Sequence, residues 1–439
     1  MKFNKYARHY ELDDLHVLFN MLNDVIVVID KELFDAINPY LKTPLDIQRI
    51  NRELYNNLLK SKFIVPGSAD ETEELISSWQ EEDRNPAQIK LTVNPTLQCN
   101  LRCWYCYEDH SGQSKVSPAT MDAIKCLIDN TFSRGSLQKL LLDFFGGEPL
   151  LYFDSCVKPL VEYADHAAAC CGKAIGYALT TNATLLSDNV CRTLSSLHGP
   201  VSLQITLDGD RERHNNIRFF ESGKGTFDII IANIKRALSY GFYVTVRFNY
   251  TSKNYDSYQP LLKEFDNITE EQKRYLDFSF HRVWQEDESE DVEARILETK
   301  STLSDSGFDV NIPVSLGTGI CYADRSQNLV INHNGLVYKC TARDFSPERA
   351  EGRLLDDGSV QWNERYFQRE NIKYGSETCR RCSIFPLCHN GCSQSKLEQK
   401  PDDGSCPKGY SDSYKEDIAK ARATQLLQLK TNKHIIINN

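Results

Sequence analysis

Residues 99–106 read CNLRCWYC, and this stretch decides the fold prediction. Its cysteines Cys99, Cys103 and Cys106 have the spacing CxxxCxxC and follow a predicted strand at residues 89–93. Each iron of a cubane 4Fe-4S cluster takes one ligand from the protein, so three thiolates leave one iron open. A zinc site is the alternative, but structural zinc prefers four ligands in paired CxxC spacing, and no fourth cysteine or well-placed histidine completes this triplet. The spacing therefore favours a cluster whose open iron can bind a cofactor.

Composition narrows the class of protein. The chain has 439 residues, which is enough for two or three domains. Its formal charge of -10 and the lack of a long basic block argue against a nucleic-acid partner. No apolar run approaches the roughly 20 residues that span a bilayer, and no signal-peptide core follows the first residues, so we expect a cytoplasmic protein with no membrane partner. Fifteen cysteines exceed what packing needs in a reducing compartment, which indicates cluster or metal ligands for most of them.

Residues 1–87 are predicted to form a small domain of their own. A turn signal at Asn23-Asp24 separates two apolar runs and predicts a hairpin. Asp70 and Glu73 form a capping-box pattern that predicts a helix start. The elements are predicted as strand, strand, helix, helix, strand and helix, at residues 17–21, 25–29, 31 onward, 46–60, 63–65 and 70 onward. This order favours a winged-helix-like module.

Residues 88–314 are predicted to form an α/β domain, and residues 315–439 a cysteine-rich one. Six β-rich segments alternate with helical ones, which indicates parallel βα units and an open, incomplete barrel. The predicted strands are residues 89–93, 140–145, 175–180, 201–207, 243–250 and 276–283. Beyond residue 321 the periodicity weakens until a last helix at about 413–428, so we expect metal, and not a large apolar core, to hold that region together.

A second motif lies at the end of the second predicted strand. Gly146, Gly147, Glu148 and Pro149 read GGEP, one βα unit after the cysteine triplet. With this motif, and with an aromatic residue before the last cysteine of the triplet, the chain resembles the radical S-adenosylmethionine superfamily. The resemblance implies a partial (βα)6 barrel in which the triplet holds a 4Fe-4S cluster, S-adenosylmethionine binds the open iron, and the GGEP turn receives the amino group of methionine. Glycines suit such a turn because a ligand must approach the backbone closely.

Weaker matches follow the third and fourth predicted strands. Thr181, Asn182 and Asp208 stand where the family contacts the cofactor's carboxylate and ribose; the alternative is that they are ordinary turn residues. Further candidates for lining the site are Arg218, Arg247 and Asn249, although Arg247 has the alternative of an outward-facing strand position.

Seven cysteines of the C-terminal region have a second recognisable pattern: Cys321, Cys340, Cys379, Cys382, Cys388, Cys392 and Cys406. The pattern resembles the SPASM extension of radical S-adenosylmethionine enzymes, which carries two auxiliary clusters and would bring the total to three 4Fe-4S clusters. The resemblance implies one fully ligated cluster on Cys379, Cys382, Cys388 and Cys406. A zinc ribbon over residues 379–392 is the alternative.

The same resemblance places Cys321, Cys340 and Cys392 on the second auxiliary cluster. No further cysteine lies between Cys321 and Cys340 to close it. Our hypothesis is that a substrate atom occupies the vacant iron. The alternative ligands are water and the side chains of Asp324, His333 and His389.

The N-terminal module resembles the peptide-recognition domain of enzymes that modify ribosomal peptides; a structural cap on the barrel is the alternative. The lead interpretation is maturation of a precursor peptide with a leader segment, through a thioether or carbon-carbon crosslink, with an external electron donor such as flavodoxin or ferredoxin. The first alternative is anaerobic sulfatase maturation, which forms formylglycine. Against it, Thr341 follows Cys340 where that group is expected to have a catalytic aspartate. A non-catalytic metal-cluster scaffold that binds a peptide is the alternative of another class.

No catalytic acid or base is assigned from the sequence. Four residues near the predicted site are plausible, but exposed or core roles fit each of them as well: Tyr107, Glu108, Asp109 and His281.

Overall fold

The computed structural model describes residues 1–12, 15–108, 110, 114–283, 285, 290–311, 320–398, 404–428 and 434–437. The strands of this described part are β1 (Lys2–Phe3), β2 (Ala7–Leu12), β3 (Leu15–Asn20), β4 (Val25–Ile29), β5 (Ile64–Val65), β6 (Gln88–Val93), β7 (Lys139–Phe144), β8 (Ala174–Thr181), β9 (Val201–Leu207), β10 (Tyr243–Tyr250), β11 (Leu276–Arg282), β12 (Asp309–Asn311), β13 (Leu329–Ile331), β14 (Leu336–Tyr338), β15 (Gly352–Leu354), β16 (Val360–Trp362) and β17 (His434–Ile437).

The helices are α1 (Lys31–Ile37), α2 (Ile47–Ile50), α3 (Arg52–Lys60), α4 (Glu71–Arg84), α5 (Pro118–Phe132), α6 (Lys158–Cys171), α7 (Asp188–Ser195), α8 (Arg211–Ile217), α9 (Phe227–Ser239), α10 (Glu270–Lys273), α11 (Glu290–Asp305), α12 (Glu364–Gly375), α13 (Glu377–Arg380), α14 (Phe385–Cys388), α15 (Ser393–Glu398) and α16 (Asp412–Gln428). In the described part, no helix combines the length and apolar character that crossing a membrane requires.

The chain forms two compact units, each built from segments that are distant in sequence. The first unit contains Met1–Arg84, Pro313–Arg325 and Gln368–Asn439. The second unit contains Asn85–Ile312 and Ser326–Phe367. The predicted domain boundaries at residues 87 and 314 remain predictions.

The sheet of the second unit contains the six predicted strands in chain order. β6 pairs with β7, and the series continues through β8, β9 and β10 to β11, with every pairing parallel. Helices lie between these strands in the chain, so the predicted α/β alternation is confirmed. β12 adds to β11 in parallel, and β12 and β16 form the two free edges of the described sheet, which is therefore open.

Four short strands extend this sheet and were not predicted. β13 pairs with β6 in parallel, and β14, β15 and β16 follow as antiparallel neighbours. Each has three residues, which is too short for an alternating pattern to stand out from the sequence. The strands β13 to β16 therefore belong to the same sheet as the six predicted strands.

The helix between β6 and β7 shows how local sequence fixes this unit. The Ser117 hydroxyl accepts a hydrogen bond from the Thr120 N–H over 3.1 Å, and Pro118 occupies the first turn. Buried residues of α5 such as Ile124 and Ile128 recur at helical spacing and pack into the core that includes Leu140 and Phe144 of β7. Because parallel strands end at a common edge, the loops after β6, β7, β8 and β9 gather there.

The first unit contains a four-stranded sheet in the order β17, β4, β3 and β2. The predicted hairpin is confirmed as β3 and β4, and Asp24 in its turn has a positive φ of 61°. Asp70 caps α4, because its Oδ1 accepts from the N–H groups of Thr72 and Glu73 at 3.1 and 3.2 Å. β2 and β17 were not predicted, because β2 has the polar sequence ARHYEL and β17 lies beyond the last predicted helix. The winged-helix interpretation of this module remains a proposal.

The C-terminal segment of the first unit has an apolar core, contrary to the expectation that metal, and not a large apolar core, would hold it together. Ile384, Phe385 and Ala419 are at most 1% exposed and share a core with the N-terminal sheet and α4. The Trp79 ring lies 5.0 Å from that of Phe385. A buried Lys373–Asp83 ion pair at 2.6 Å joins the same segments. Sequence periodicity missed this core because its members come from both ends of the chain.

Candidate active site

The cysteine triplet lies on the loop that follows β6. Thr96 and Ser114 fix the start of this loop, since the Leu97 N–H donates to the Ser114 hydroxyl over 2.8 Å and the Thr96 hydroxyl donates to the Ser114 carbonyl over 2.6 Å. Cys99 and Cys103 are half-buried, whereas Cys106 is exposed. Burial raises the pKa of the Cys99 thiol to about 12. A thiol with such a pKa needs a strong Lewis acid, such as iron, to become a thiolate at neutral pH.

The GGEP turn packs directly against the cysteine loop. A Cβ at Gly146, where φ is 101°, would lie 2.3 Å from the Thr96 carbonyl oxygen, and a Cβ at Gly147 would lie 2.2 Å from that of Gln98. The Gly147 N–H donates to Thr96 over 3.1 Å, and the Glu148 N–H donates to Gln98 over 2.8 Å. Both glycines are therefore required by contact between two loops of this chain, in addition to any contact with a ligand.

Glu148 connects the GGEP turn to the end of β8. Its carboxylate is fully buried and accepts hydrogen bonds from the Thr181 hydroxyl and the Asn182 N–H, both at 2.7 Å, and from the Leu150 N–H at 3.0 Å. Pro149 begins the short helical turn that follows. Burial raises the pKa of Glu148, and the bonds from Thr181, Asn182 and Leu150 oppose that rise. Glu148 therefore fixes the relative positions of two strand ends.

Asn182 reaches from the end of β8 to the first cysteine. Its Nδ2 lies 3.6 Å from Cys99 Sγ and donates to Asn100 Oδ1 over 2.8 Å. Its Oδ1 accepts from the Thr184 N–H over 2.9 Å. Cys99 and Asn182 are thus brought together, although they lie 83 positions apart in the sequence.

Tyr105 joins the cysteine loop to the end of β9. Its hydroxyl donates to Asp208 Oδ2 over 2.7 Å, and it accepts from Arg218 at 2.8 Å and Asn249 at 3.0 Å. Arg218 Nη1 lies 3.5 Å from the same carboxylate. Burial raises the pKa of Asp208, whereas the neighbouring Arg218 lowers it. Asp208 Oδ1 is buried and has no hydrogen-bond partner among the described residues, so it is available to a ligand.

His214 supports the network of Tyr105, Asp208 and Arg218 through the Asp208 backbone and through Thr226. Its Nδ1 accepts from the Asp208 N–H over 3.2 Å, which leaves Nε2 as the protonated nitrogen facing the Thr226 hydroxyl at 3.1 Å. Thr226 in turn donates to the Arg218 carbonyl over 2.8 Å. Burial lowers the pKa of His214 to about 3, so the ring is neutral. Sequence analysis did not predict this role, because His214 belongs to no motif.

A cavity of about 350 Å³ opens beside these residues. This volume is within the range of small-molecule sites. Thr180, Gln204 and Thr206 of β8 and β9 line it, as do Tyr107 and Glu108 of the cysteine loop. The predicted site residues that line it are Cys106, Gly146, Arg218, Arg247 and Asn249. Thus Arg247 faces the cavity, contrary to its alternative interpretation. The remaining predicted cofactor residues are close by but outside its described lining: Gly147, Glu148, Pro149, Thr181, Asn182 and Asp208.

The acid–base candidates differ in their surroundings. Burial raises the pKa of Glu108 to about 8, and its Oε2 has no hydrogen-bond partner in the described part. The Tyr107 hydroxyl donates to the Thr341 carbonyl over 2.7 Å. His281 contacts the Ser279 hydroxyl at 2.8 Å, and burial lowers its pKa to about 3. Asp109 lies outside the described residues.

The first unit brings together the four cysteines predicted for one auxiliary cluster. Cys379, Cys382, Cys388 and Cys406 line a common cavity of about 30 Å³. Burial raises the pKa values of Cys382 and Cys388, and the neighbouring thiols raise them further. The four thiols are therefore close enough to interact electrostatically.

The other three predicted ligands have different surroundings. Cys321 and Cys392 belong to the first unit and Cys340 to the second, so the second auxiliary cluster remains a prediction. Of its alternative ligands, Asp324 accepts a short hydrogen bond from the Ser393 hydroxyl. His389 stacks on Trp79 at 5.5 Å and has a positive φ of 49°. His333 contacts Asn332 at 3.2 Å.

Comparison with known proteins identifies the barrel. Residues 93–262 match the family described as the Radical SAM superfamily. This segment is a radical SAM domain. The chain is 28% identical to the Fe-coproporphyrin III synthase of Methanosarcina barkeri and to protein MJ0907 of Methanocaldococcus jannaschii. It spans only about half of their lengths, 55% and 56% respectively. It is 22% identical to the cysteine-type anaerobic sulfatase-maturating enzyme of Clostridium novyi, over 76% of this chain and 95% of that one.

Two solved structures are similar to this chain in fold. Native anSMEcpe with bound AdoMet and Cp18Cys peptide has a TM-score of 0.61 at 19% identity and covers 78% of this chain and 99% of that one. Streptococcus suis SuiB bound to precursor peptide SuiA has a TM-score of 0.51 at 15% identity and covers 94% of this chain and 99% of that one. At these identities the likeness concerns the fold alone.

Proposed function

We propose that this radical SAM enzyme holds three 4Fe-4S clusters and S-adenosylmethionine, and that it installs an oxidative thioether or carbon-carbon crosslink in a ribosomally made precursor peptide. The observation that carries the proposal is that a radical SAM domain occurs in one chain with a four-cysteine site whose core includes an N-terminal β-sheet. One polypeptide thus combines a radical SAM domain, four cysteines that could hold a further cluster, and a sheet to which a peptide could add.

The cysteine triplet suits a cluster better than a single ion. Within the described residues, no three histidine, cysteine or carboxylate side chains are close enough together to hold one metal ion. A cubane cluster binds each thiolate through a different iron and so needs wider spacing than tetrahedral zinc. Cys99, Cys103 and Cys106 would be its ligands, and the cavity beside Cys106 is where a ligand of the open iron would lie.

The cavity also suits S-adenosylmethionine. When bound, this cofactor and its cluster would supply the 5′-deoxyadenosyl radical that takes a hydrogen atom from the peptide. Asp208 Oδ1, buried without a partner, can accept from a ribose hydroxyl. Arg218 offers a cation for the methionine carboxylate, and carbonyl oxygens of the GGEP turn can accept from its ammonium group. Glu148 and Tyr105 hold these groups in place through the contacts described above.

Leader recognition is assigned to the sheet of the first unit. An extended peptide adds to an exposed sheet edge through backbone hydrogen bonds, and side-chain pockets then set its register. β2 and β17 are the edges of the described four-stranded sheet. Since β17 already occupies the side next to β4, the β2 edge is where we place the leader. The electron donor and the cytoplasmic location remain predictions.

Sulfatase maturation is the second candidate, because a sulfatase-maturating relative aligns over 76% of this chain. Two features favour the peptide-maturase interpretation. Thr341 follows Cys340 in place of the expected aspartate. The first unit also contains a sheet whose described part has β2 as an edge, to which a leader peptide could add.

Co-expression tests the proposal. The enzyme is expressed without oxygen together with a cysteine-containing peptide encoded beside its gene, and the peptide is then weighed by mass spectrometry. We expect loss of one pair of hydrogen atoms per modified site. Cys99→Ala should abolish this loss, while Cys170→Ala, at an exposed cysteine with no ligand spacing, should leave it unchanged. An unchanged peptide from enzyme that carries its clusters and cleaves S-adenosylmethionine would favour sulfatase maturation, and failure to form 5′-deoxyadenosine would favour the scaffold alternative.

A further inference from the structure

A buried lysine lies beside the four-cysteine site of the first unit. Lys396 belongs to α15 and is 5% exposed. Its Nζ donates to the Lys373 carbonyl over 3.3 Å, and no carboxylate of the described residues lies within ion-pair distance of it. Burying an ammonium group without an anionic partner is costly. The Asp324 carboxylate acts on Lys396 electrostatically without forming an ion pair with it, so further negative charge beside the lysine would be favourable.

The predicted cysteine ligands would supply such charge once a cluster converts them to thiolates. Cys379, Cys388 and Cys392 all act on the Lys396 ammonium electrostatically, together with the Asp324 carboxylate. A Cβ placed on Gly391 would lie 3.8 Å from both Cys379 Sγ and Lys396 Cε. The side chains of Lys396 and Cys379 thus both pack against Gly391.

Two further lysines, from other elements, line the four-cysteine cavity itself. Lys408 and Lys415 line it, and they act electrostatically on Cys388 and Cys382 respectively. Lys415 also contacts Asp412 at 2.7 Å, but the Asp412 side chain is 97% exposed. Water screens such a carboxylate, so it offsets little of the lysine's charge at the cavity.

A cluster held by four thiolates is anionic, and one-electron reduction makes it more negative. Nearby positive charge stabilises the reduced form and raises the reduction potential. We infer that Lys396, with Lys408 and Lys415, is a positioning residue that sets the potential of the Cys379, Cys382, Cys388 and Cys406 cluster so that this cluster accepts the electron released by the substrate. The inference rests on the proposed function.

Formation of a thioether from the peptide radical releases one electron. The carbon radical of the peptide bonds to a cysteine sulfur, the thiol proton leaves to solvent, and one electron is released. A cluster held by Cys379, Cys382, Cys388 and Cys406 would, in its oxidised form, accept that electron. An external protein acceptor then reoxidises the cluster, so the lysines act on the cluster's potential and on no bond of the substrate.

A redox titration followed by electron paramagnetic resonance tests the inference. The signal of this cluster is first identified as the one that Cys382→Ala removes. Lys396→Met should then shift its oxidised-to-reduced ratio at a fixed potential about three- to tenfold towards the oxidised form; tenfold corresponds to about 59 mV for one electron. Lys396→Arg should retain the wild-type potential. Lys415→Met should cause a smaller shift of the same sign, and Lys420→Met, an exposed lysine of the same helix, should cause none.

Each outcome decides the question without using the substrate. An unchanged potential in an iron-loaded Lys396→Met variant would overturn the inference. Loss of this cluster from Lys396→Met but not from Lys396→Arg would support the inference, because arginine keeps the positive charge that methionine lacks. Loss from both would indicate a packing role and overturn it. If wild-type enzyme shows no signal that depends on Cys382, the proposed auxiliary cluster itself fails.

Discussion

The Tyr105 hydroxyl donates a 2.7 Å hydrogen bond to Asp208 Oδ2, which joins the cysteine loop to the end of a strand 103 residues later. Arg218 and Asn249 donate to the same hydroxyl, so one phenol organises three polar groups at the cavity. The aromatic residue before the last cysteine of the triplet is therefore more than an apolar neighbour of the cluster.

Tyr105→Phe should weaken S-adenosylmethionine binding about tenfold, because removing the hydroxyl leaves Asp208 and Arg218 without their shared partner and costs roughly 1–3 kcal/mol. Equilibrium dialysis of the cluster-loaded protein measures the change in affinity. Tyr163→Phe is the matched control, since it removes an exposed hydroxyl that donates to Asp129 over 2.6 Å. Equal affinities for Tyr105→Phe and wild type would contradict the assigned role.

Gly147→Ala should prevent the GGEP turn from docking on the cysteine loop, because the new Cβ would lie 2.2 Å from the Gln98 carbonyl oxygen. Overpacking of this kind costs roughly 1–3 kcal/mol or forces the loops apart. We expect iron content and S-adenosylmethionine binding to fall together. Gly135→Ala, where a Cβ meets nothing within 4 Å, should leave both unchanged. Normal cofactor binding by Gly147→Ala would show that the loops move apart without consequence.

Acidification should destabilise the second unit through His214. Burial lowers its pKa from 6.5 to about 3 in the folded protein. The unfolded chain therefore binds the extra proton between these values, so stability rises with pH over this window and is lost as the pH falls below 6.5. At pH 5.5 the loss from this residue is about 1.4 kcal/mol.

His214→Asn should make the melting temperature less sensitive to a change from pH 7 to pH 5.5, because asparagine cannot take up the proton. His166→Asn, at an exposed position on α6, should retain the wild-type sensitivity. His281, whose pKa is also lowered to about 3, leaves part of the effect in both variants. An identical change of melting temperature with pH in His214→Asn and wild type would contradict the assignment of His214 as a neutral, buried histidine.

Cys382→Ser should loosen the N-terminal sheet as well as remove the proposed auxiliary cluster. Cys382 packs on the core that contains Val17 and Phe385, and metal binding contributes directly to folding in such regions. Hydrogen exchange of residues 15–29 should accelerate, since their protection depends on this shared core. Cys170→Ser is the control and should change nothing there. Unaltered protection in Cys382→Ser would mean that the sheet is stable without the cluster.

The sequence predicted the elements whose patterns are local and long. The strands β9 and β10 appear with the predicted bounds, because their apolar residues recur regularly over seven and eight positions. The three-residue strands from β13 to β16 carry no such pattern, and the assignment of residues 326–367 to the barrel sheet was missed with them. Motifs named the cysteines and the GGEP turn. They did not reveal that Glu148 bonds to Thr181 and Asn182, because those contacts arise only when parallel strands end side by side.

Quantifying 5′-deoxyadenosine and peptide mass in one anaerobic reaction tests the central claim most directly. The reaction contains reduced, iron-loaded enzyme, S-adenosylmethionine and the neighbouring precursor peptide. The account predicts that 5′-deoxyadenosine forms in proportion to hydrogen pairs lost from the peptide, and that Cys99→Ala forms neither. Iron-loaded wild-type enzyme that forms no 5′-deoxyadenosine with any peptide or protein substrate would contradict it.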